Sequence, residues 1–227
     1  GGTARVTATV RGRGLRPRGR GAALTGEGEI DVAKGETGGM SPLILRRVSD
    51  DAVNGRRPVT VEAIEQGVVE LIADPAPELR VGLGNRKLAF DIADGVITMR
   101  PFTLSTPEGR ATNRTTIELA RLKIDSEWKL EEQLEKPGSK PAVPGTKTLA
   151  ALPPITIVFV GPLSSLGALE PVVSVDSLVR ELSVRRIERD VEELERLRRV
   201  DEERAKIEAE RRAAAAAAAA IQSAAPA

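Results

Sequence analysis

Residues 153–163 read Pro-Pro-Ile-Thr-Ile-Val-Phe-Val-Gly-Pro-Leu, and residues 173–182 read Val-Ser-Val-Asp-Ser-Leu-Val-Arg-Glu-Leu. The first run holds six consecutive β-branched or aromatic residues, Ile155 to Val160, between Pro154 and Gly161. That composition predicts a strand apolar on both faces, ended by Gly161-Pro162. The second run predicts a helix capped by Asp176. Its apolar residues are Leu178, Val179, Leu182, Ile187, Val191, Leu194 and Leu197, spaced by three and four except for one step of five after Leu182. The remaining positions from Arg185 to Arg199 are mostly charged, with opposite signs three or four apart. Leu178, Leu182, Ile187, Val191 and Leu194 are therefore expected to dock the helix on a sheet.

The chain before this unit supplies the sheet. Residues 3–12 alternate Val6, Ala8 and Val10 with Arg5, Thr7, Thr9 and Arg11, which predicts a half-buried strand. Residues 11–21 are rich in Arg and Gly and read as a solvated connection, with an RNA- or lipid-headgroup-binding loop as the alternative. A second strand over 22–33 carries glycines that mark bends or close backbone approach. Ser41-Pro42 opens a short helix over 42–54, and Thr60 caps another over 60–73. Residues 79–134 then read as an antiparallel meander. Leu88, Phe90 and Ile92 alternate up to a tight Asp94-Gly95 turn, Thr106-Pro107-Glu108-Gly109 turns again, and Ile124, Ser126, Trp128 and Leu130 alternate on the return.

Leu88, Phe90, Ile92, Ile117, Leu119, Trp128, Leu130, Ile155, Ile157 and Phe159 are expected to share one apolar surface. The fold class that follows is α+β: a twisted antiparallel β-meander with a groove-like sheet, short helices and a long charged amphipathic C-terminal helix. The organisation expected is a sheet segment over 1–135 with the two inserted helices, a Pro/Gly/Lys linker over 136–152, and a final strand plus docking helix over 153–200. An Ala-rich tail over 201–227, helical or disordered, completes it.

Composition narrows the chemistry. The 227 residues carry 34 basic and 33 acidic side chains, a net charge of +1, which disfavours nucleic acid as the main partner. There is no His, Cys or Tyr, so the commonest general base, nucleophilic thiol and transition-metal ligands are missing. Gly82 and Gly84 lack the third glycine and following helix of a dinucleotide loop. Asp125 and Glu127 alternate onto one solvated strand face rather than forming an acid pair. Asn113-Arg114-Thr115 spells a glycosylation sequon without further support. No catalytic residue, cofactor or metal is expected. No apolar run reaches the roughly 20 residues of a membrane helix. The chain opens Gly1-Gly2-Thr3 and is expected to be a segment of a longer protein.

The order of these motifs resembles the C-terminal region of AsmA-like (AsmA/TamB-type) proteins of Gram-negative cell envelopes. "GEGEIDVAKGETGGMSPLIL" (26–45) is similar to that family's glycine-punctuated strand before a helix. "FDIADGVITMRPFTLSTPEGRATNRTTIELARLKIDSEWKL" (90–130) is similar to its hairpins. "PPITIVFVGPL…VSVDSLVRELSVRRIERDVEELERL" resembles its last strand and final helix, through Gly161, Pro162, Leu163, Val175, Asp176, Leu182, Arg185, Ile187, Glu188 and Arg189. The resemblance spans roughly residues 22–200. It implies envelope biogenesis, with phospholipid acyl chains carried on an apolar groove between inner and outer membranes. It further implies a periplasmic location, with an N-terminal inner-membrane anchor in the full-length parent. The same one-sided alternation fits an ordinary core covered by helices. A non-catalytic interaction module, with an envelope partner on the charged helix, is the other reading.

Overall fold

The computed structural model describes residues 2–12, 24–133 and 151–223, with side chains up to Ala213. Most of the Arg/Gly-rich stretch and the expected 136–152 linker lie outside the described residues. Backbone contacts divide the chain into two compact units, Gly1–Ser183 and Val184–Ala227.

The first unit is one open antiparallel sheet with two helices and the start of a third. In chain order its strands are β1 (Thr3–Gly12), β2 (Leu24–Thr37), β3 (Val81–Ala93), β4 (Val96–Met99), β5 (Phe102–Thr106), β6 (Gly109–Glu118), β7 (Lys123–Glu132), β8 (Ile155–Pro162) and β9 (Val172–Ser174). The helices are α1 (Leu43–Val53), α2 (Val61–Ala73) and α3 (Asp176–Ser223). The sheet runs β1-β2-β3-β4-β6-β7-β8-β9, with β5 also paired to β6. Every pairing is antiparallel, so the α+β meander holds.

Local chemistry explains the joints. Asp94 and Gly95 both take positive φ, 49° and 75°, the geometry of a two-residue hairpin turn whose twist matches its strands. β4 and β5 are consecutive stretches separated at Arg100-Pro101, where Pro cannot donate to the ladder. They share β6 as a neighbour, β4 against Thr116–Glu118 and β5 against Gly109–Asn113. Thr60 caps α2 by accepting from the Ala63 N–H at 3.2 Å. At α3 the expectation shifts by one residue. The helix begins at Asp176, with the Val179 N–H donating to Val175 O at 2.9 Å, so Asp176 lies in the first turn, where its charge favours the positive helix end.

The core forms where α1, α2 and the start of α3 meet one end of the sheet. Ile44, Leu45 and Val48 of α1, Ile64 and Val68 of α2, and Leu178 and Leu182 of α3 join Leu104, Ala111, Leu130, Ile155 and Ile157. All of these are fully or almost fully buried. Each large aliphatic side chain removed from water here contributes about 1.5–3 kcal/mol. This core takes in residues of β3 and β5–β9 but none of β1, β2 or β4.

Two expectations need correction. β1 forms as a strand, yet all ten of its residues are exposed, including Val6 at 64% and Val10 at 48%. It is an edge strand paired only with β2; alternation sets which face is apolar, not whether anything covers it. The second correction concerns α3. Leu178 and Leu182 are buried, but Ile187 (64%), Val191 and Leu194 (61%) are exposed. The step of five after Leu182 advances the helix by about 500°, so Ile187 sits about 140° away from the docking face. Arg185 and Arg186 occupy the positions where that face would continue.

Candidate functional site: the apolar face of the sheet

Strand registers place nine of the ten expected residues on one face. Leu130 opposes Ile155, Trp128 opposes Ile157 and Ser126 opposes Phe159. Ile117 opposes both Ile97 and Ile124, and Ile97 opposes Ile92. Phe90 opposes Met99 and Gly28, and Leu88 opposes Ile30. Leu119 lies just past the end of β6, half-buried, its N–H donating to Gly95 O at 2.9 Å.

This face divides into bands across the strands. The band nearest the helices is Leu104, Ala111, Leu130 and Ile155, completely enclosed. The next holds Phe102, Asn113, Trp128, Ile157 and Val173. Here Phe102 and Trp128 meet edge-to-face with centroids 5.8 Å apart, a favourable arrangement of their ring quadrupoles. Beyond lies a polar step of Thr115 and Ser126 beside Phe159. The step is internally satisfied. Asn113 Nδ2 donates to Ser126 Oγ at 3.1 Å and to Glu127 O at 3.3 Å; Thr115 Oγ1 donates to Asn113 Oδ1 at 2.9 Å and lies 2.8 Å from Ser126 Oγ. Past the step lies an apolar band of Ile92, Ile97, Ile117 and Ile124, and across the sheet Phe90 with Met99 and Leu88 with Ile30 carry the apolar surface on to Val6, Ala8 and Val10 of β1.

The expected residues thus fall on both sides of a boundary. Leu130, Ile155 and Ile157 belong to the helix-covered core, with Trp128 and Phe159 half-buried against it. Leu88, Phe90 and Ile92 are buried outside that core. Ile117 and Leu119, together with Ile30, Ile97, Met99 and Ile124, are half-buried outside it. The ring of Phe90 lies over Gly28, where a methyl group would also come 2.6 Å from Thr7 O, so this approach requires glycine.

Sequence reasoning did not place Ile97, Met99 or Arg86 on this face, and it named Asn113 and Thr115 only as parts of a glycosylation sequon. Parity within the strand was the available signal for Asn113, Thr115 and Arg86, which stand two or four residues from Ile117 or Leu88, and the Asp94-Gly95 hairpin sets Ile97 opposite Ile92 and Met99 opposite Phe90. Arg86 precedes Leu88 by two and faces the apolar side, its guanidinium 5.9 Å from the Phe102 centroid and its Nη1 donating to Thr103 O at 2.9 Å.

The opposite face is a charged ladder. Lys87 sits 2.7 Å from Glu29 and 3.5 Å from Asp31, and its ammonium pKa is raised chiefly by the hydrogen bond to Glu29. Arg100 pairs with Asp91 at 3.4 Å, and Glu131 with Lys129 and Arg110. Asp125 and Glu127 are exposed on this side. Gly82 and Gly84 lie within β3, with no helix following. Among the described residues no three His, Cys, Asp or Glu side chains gather as a metal site, and no helix is long and apolar enough to cross a membrane. No protein-family profile, curated protein or solved structure matches the chain.

Proposed function

We propose that this chain is the C-terminal segment of an AsmA-like envelope-biogenesis protein, and that its apolar sheet face holds phospholipid acyl chains in transit between the inner and outer membranes. The observation that carries the reading is the continuation of the apolar face past the helix-covered core. Ile30, Ile97, Met99, Ile117 and Ile124 extend it over strands that the helices do not seal. Water is a poor solvent for such a surface, and a hydrocarbon chain laid along it gains about 0.8 kcal/mol per methylene buried. Six methylenes so placed give about 5 kcal/mol, before the cost of ordering the chain is subtracted. The other face is charged and ion-paired, as a wall between lipid and water requires. The chemistry is binding rather than catalysis, and neither cofactor nor nucleic acid takes part. The full-length parent would be periplasmic and tethered to the inner membrane.

Photo-crosslinking in cells tests this. A crosslinking residue at Ile97 or Ile117 of the full-length protein should yield phospholipid adducts. The same residue at Glu127, on the charged face, or at Leu130, under the helices, should yield none. Adducts at none of the four sites would mean that lipid does not travel along this segment.

A second reading rests on α3. Val184, Ile187, Val191, Leu194, Leu197 and Val200 are all exposed, as an arm that docks an envelope protein would require. Disulfide trapping from cysteines placed at Val191 and Leu194 would recover that partner, and substitution of both by Asp should abolish the trapping.

A further inference from the structure

Strand parity puts two charged side chains on the apolar face: Glu132 at the end of β7 and Arg86 in β3. Their situations differ. The Glu132 side chain is 8% exposed, pairs with Arg46 of α1 at 3.1 Å and accepts the Leu152 N–H at 3.0 Å. Its charge is neutralised within the fold. Arg86 is half-buried, and among the described residues no carboxylate lies within ion-pair distance of it. Cations on the other face of the same sheet, Lys87 and Arg100, do have carboxylate partners. One bond to Thr103 O and the face of the Phe102 ring orient the Arg86 guanidinium but leave its charge uncompensated. A guanidinium carries five N–H donors in a planar fork and binds phosphate or carboxylate in two-point fashion. Arg86 stands where the Phe102–Trp128 pair and the Asn113–Thr115–Ser126 step separate the closed core from the open apolar surface. A chain lying over Ile97 and Ile117 would meet the polar groups of that step, and the Arg86 guanidinium, where the apolar surface borders the core.

We propose that Arg86 is an oxyanion-binding residue that holds the phosphate-class headgroup of an amphiphile whose chain lies on Ile97, Met99 and Ile117. The inference rests on the acyl-chain reading above and adds to it a polarity: headgroup at the step, tail toward β4 and the far ends of β6 and β7. Free inorganic phosphate offers the same chemistry, so the test separates the two sources.

Titration calorimetry on the whole chain, with amphiphiles below their micelle concentrations, decides it. Decyl phosphate should bind wild type at least roughly tenfold tighter than decyl maltoside, which carries the same tail on a neutral head, since hydrogen bonds to charged groups are the stronger ones. Arg86→Gln should erase that preference and leave decyl maltoside unchanged, while Arg86→Lys should keep most of it. Melting curves of both variants establish that they fold; if Arg86→Gln does not, the comparison of Arg86→Lys with wild type and a Phe102→Leu variant carries the test. Failure of millimolar inorganic phosphate to compete assigns the site to a headgroup, and competition at equal affinity assigns it to a free oxyanion. Equal binding of the two amphiphiles by wild type, or a preference that survives Arg86→Gln, overturns the inference while the acyl-chain reading stands. Binding of neither amphiphile overturns both.

Discussion

Leu182 and Leu194 lie on the same helix, 12 residues apart, and their environments predict opposite responses to the same truncation. Leu182 is fully buried among the α1, α2 and sheet residues of the core, whereas Leu194 is 61% exposed. Leu182→Ala removes three carbons from a closed site and leaves a cavity that the surrounding strands refill only in part. The expected loss is about 3 kcal/mol, within the range of about 2–5 kcal/mol for buried leucines. For a chain of this length that is a fall of about 6–12 °C in Tm, at about 2–4 °C per kcal/mol. Leu194→Ala changes a side chain that has little left to lose and should stay within about 0.5 kcal/mol. Urea titration monitored by Trp128, the single tryptophan, reads the sheet and core directly, because Trp128 packs against that core. Comparable destabilisation by the two variants would place the docked stretch of α3 beyond Ser183 and refute the boundary. A neutral Leu182→Ala would refute the docking itself.

Other perturbations probe other parts of the account. Gly28→Ala should destabilise by about 1–3 kcal/mol in the same titration, because the new methyl meets the Phe90 ring and Thr7 O, where an uncrowded strand would gain from the exchange. Thr115→Val keeps the shape but removes the hydroxyl that donates to Asn113 Oδ1, and should cost about 1–3 kcal/mol through the buried groups left without a partner. Gly95→Val forces a branched side chain into a φ of 75° and should lower Tm, whereas Gly95→Asn, which tolerates that conformation, should lower it much less. A chain ending at Ser183 should melt within about 2 °C of the whole protein, since the contacts of Gly1–Ser183 form a compact unit of their own.

How much of this was legible depended on the range of the interaction. The Asp94-Gly95 hairpin, the Thr60 cap and the strand from Ile155 follow from residues within a turn of one another, and all three form. The shared face of Leu88, Phe90, Ile117, Trp128 and Ile157 was legible because side-chain direction in a strand has a period of two. What covers the face was not, because that depends on where α1 and α2 return to the sheet, and no local pattern encodes it. Hence Leu130 and Ile117 stood together in the sequence, although one is enclosed and the other borders the open surface. β9 escaped notice because Val172–Ser174 is three residues long and pairs only with β8. The exposure of Ile187, Val191 and Leu194 was signalled by the step of five after Leu182, a phase break that ends the docking face. Arg86 was concealed by its type: arginine in a strand reads as a solvated position, and only the parity of Leu88 and Phe90 assigns it to the apolar side.

The central claim is that hydrocarbon occupies the open part of the sheet face. Isoleucine methyl NMR with a spin-labelled fatty acid tests it most directly. Isoleucines are distributed across the regions in question: Ile97, Ile117 and Ile124 on the open surface, Ile44, Ile64 and Ile155 in the closed core. Adding stearate labelled near its methyl end should broaden the methyl resonances of Ile97, Ile117 and Ile124 at concentrations that leave Ile44, Ile64 and Ile155 sharp. Broadening that is uniform across the six, or confined to the exposed helix at Ile187 and Ile207, would contradict the account.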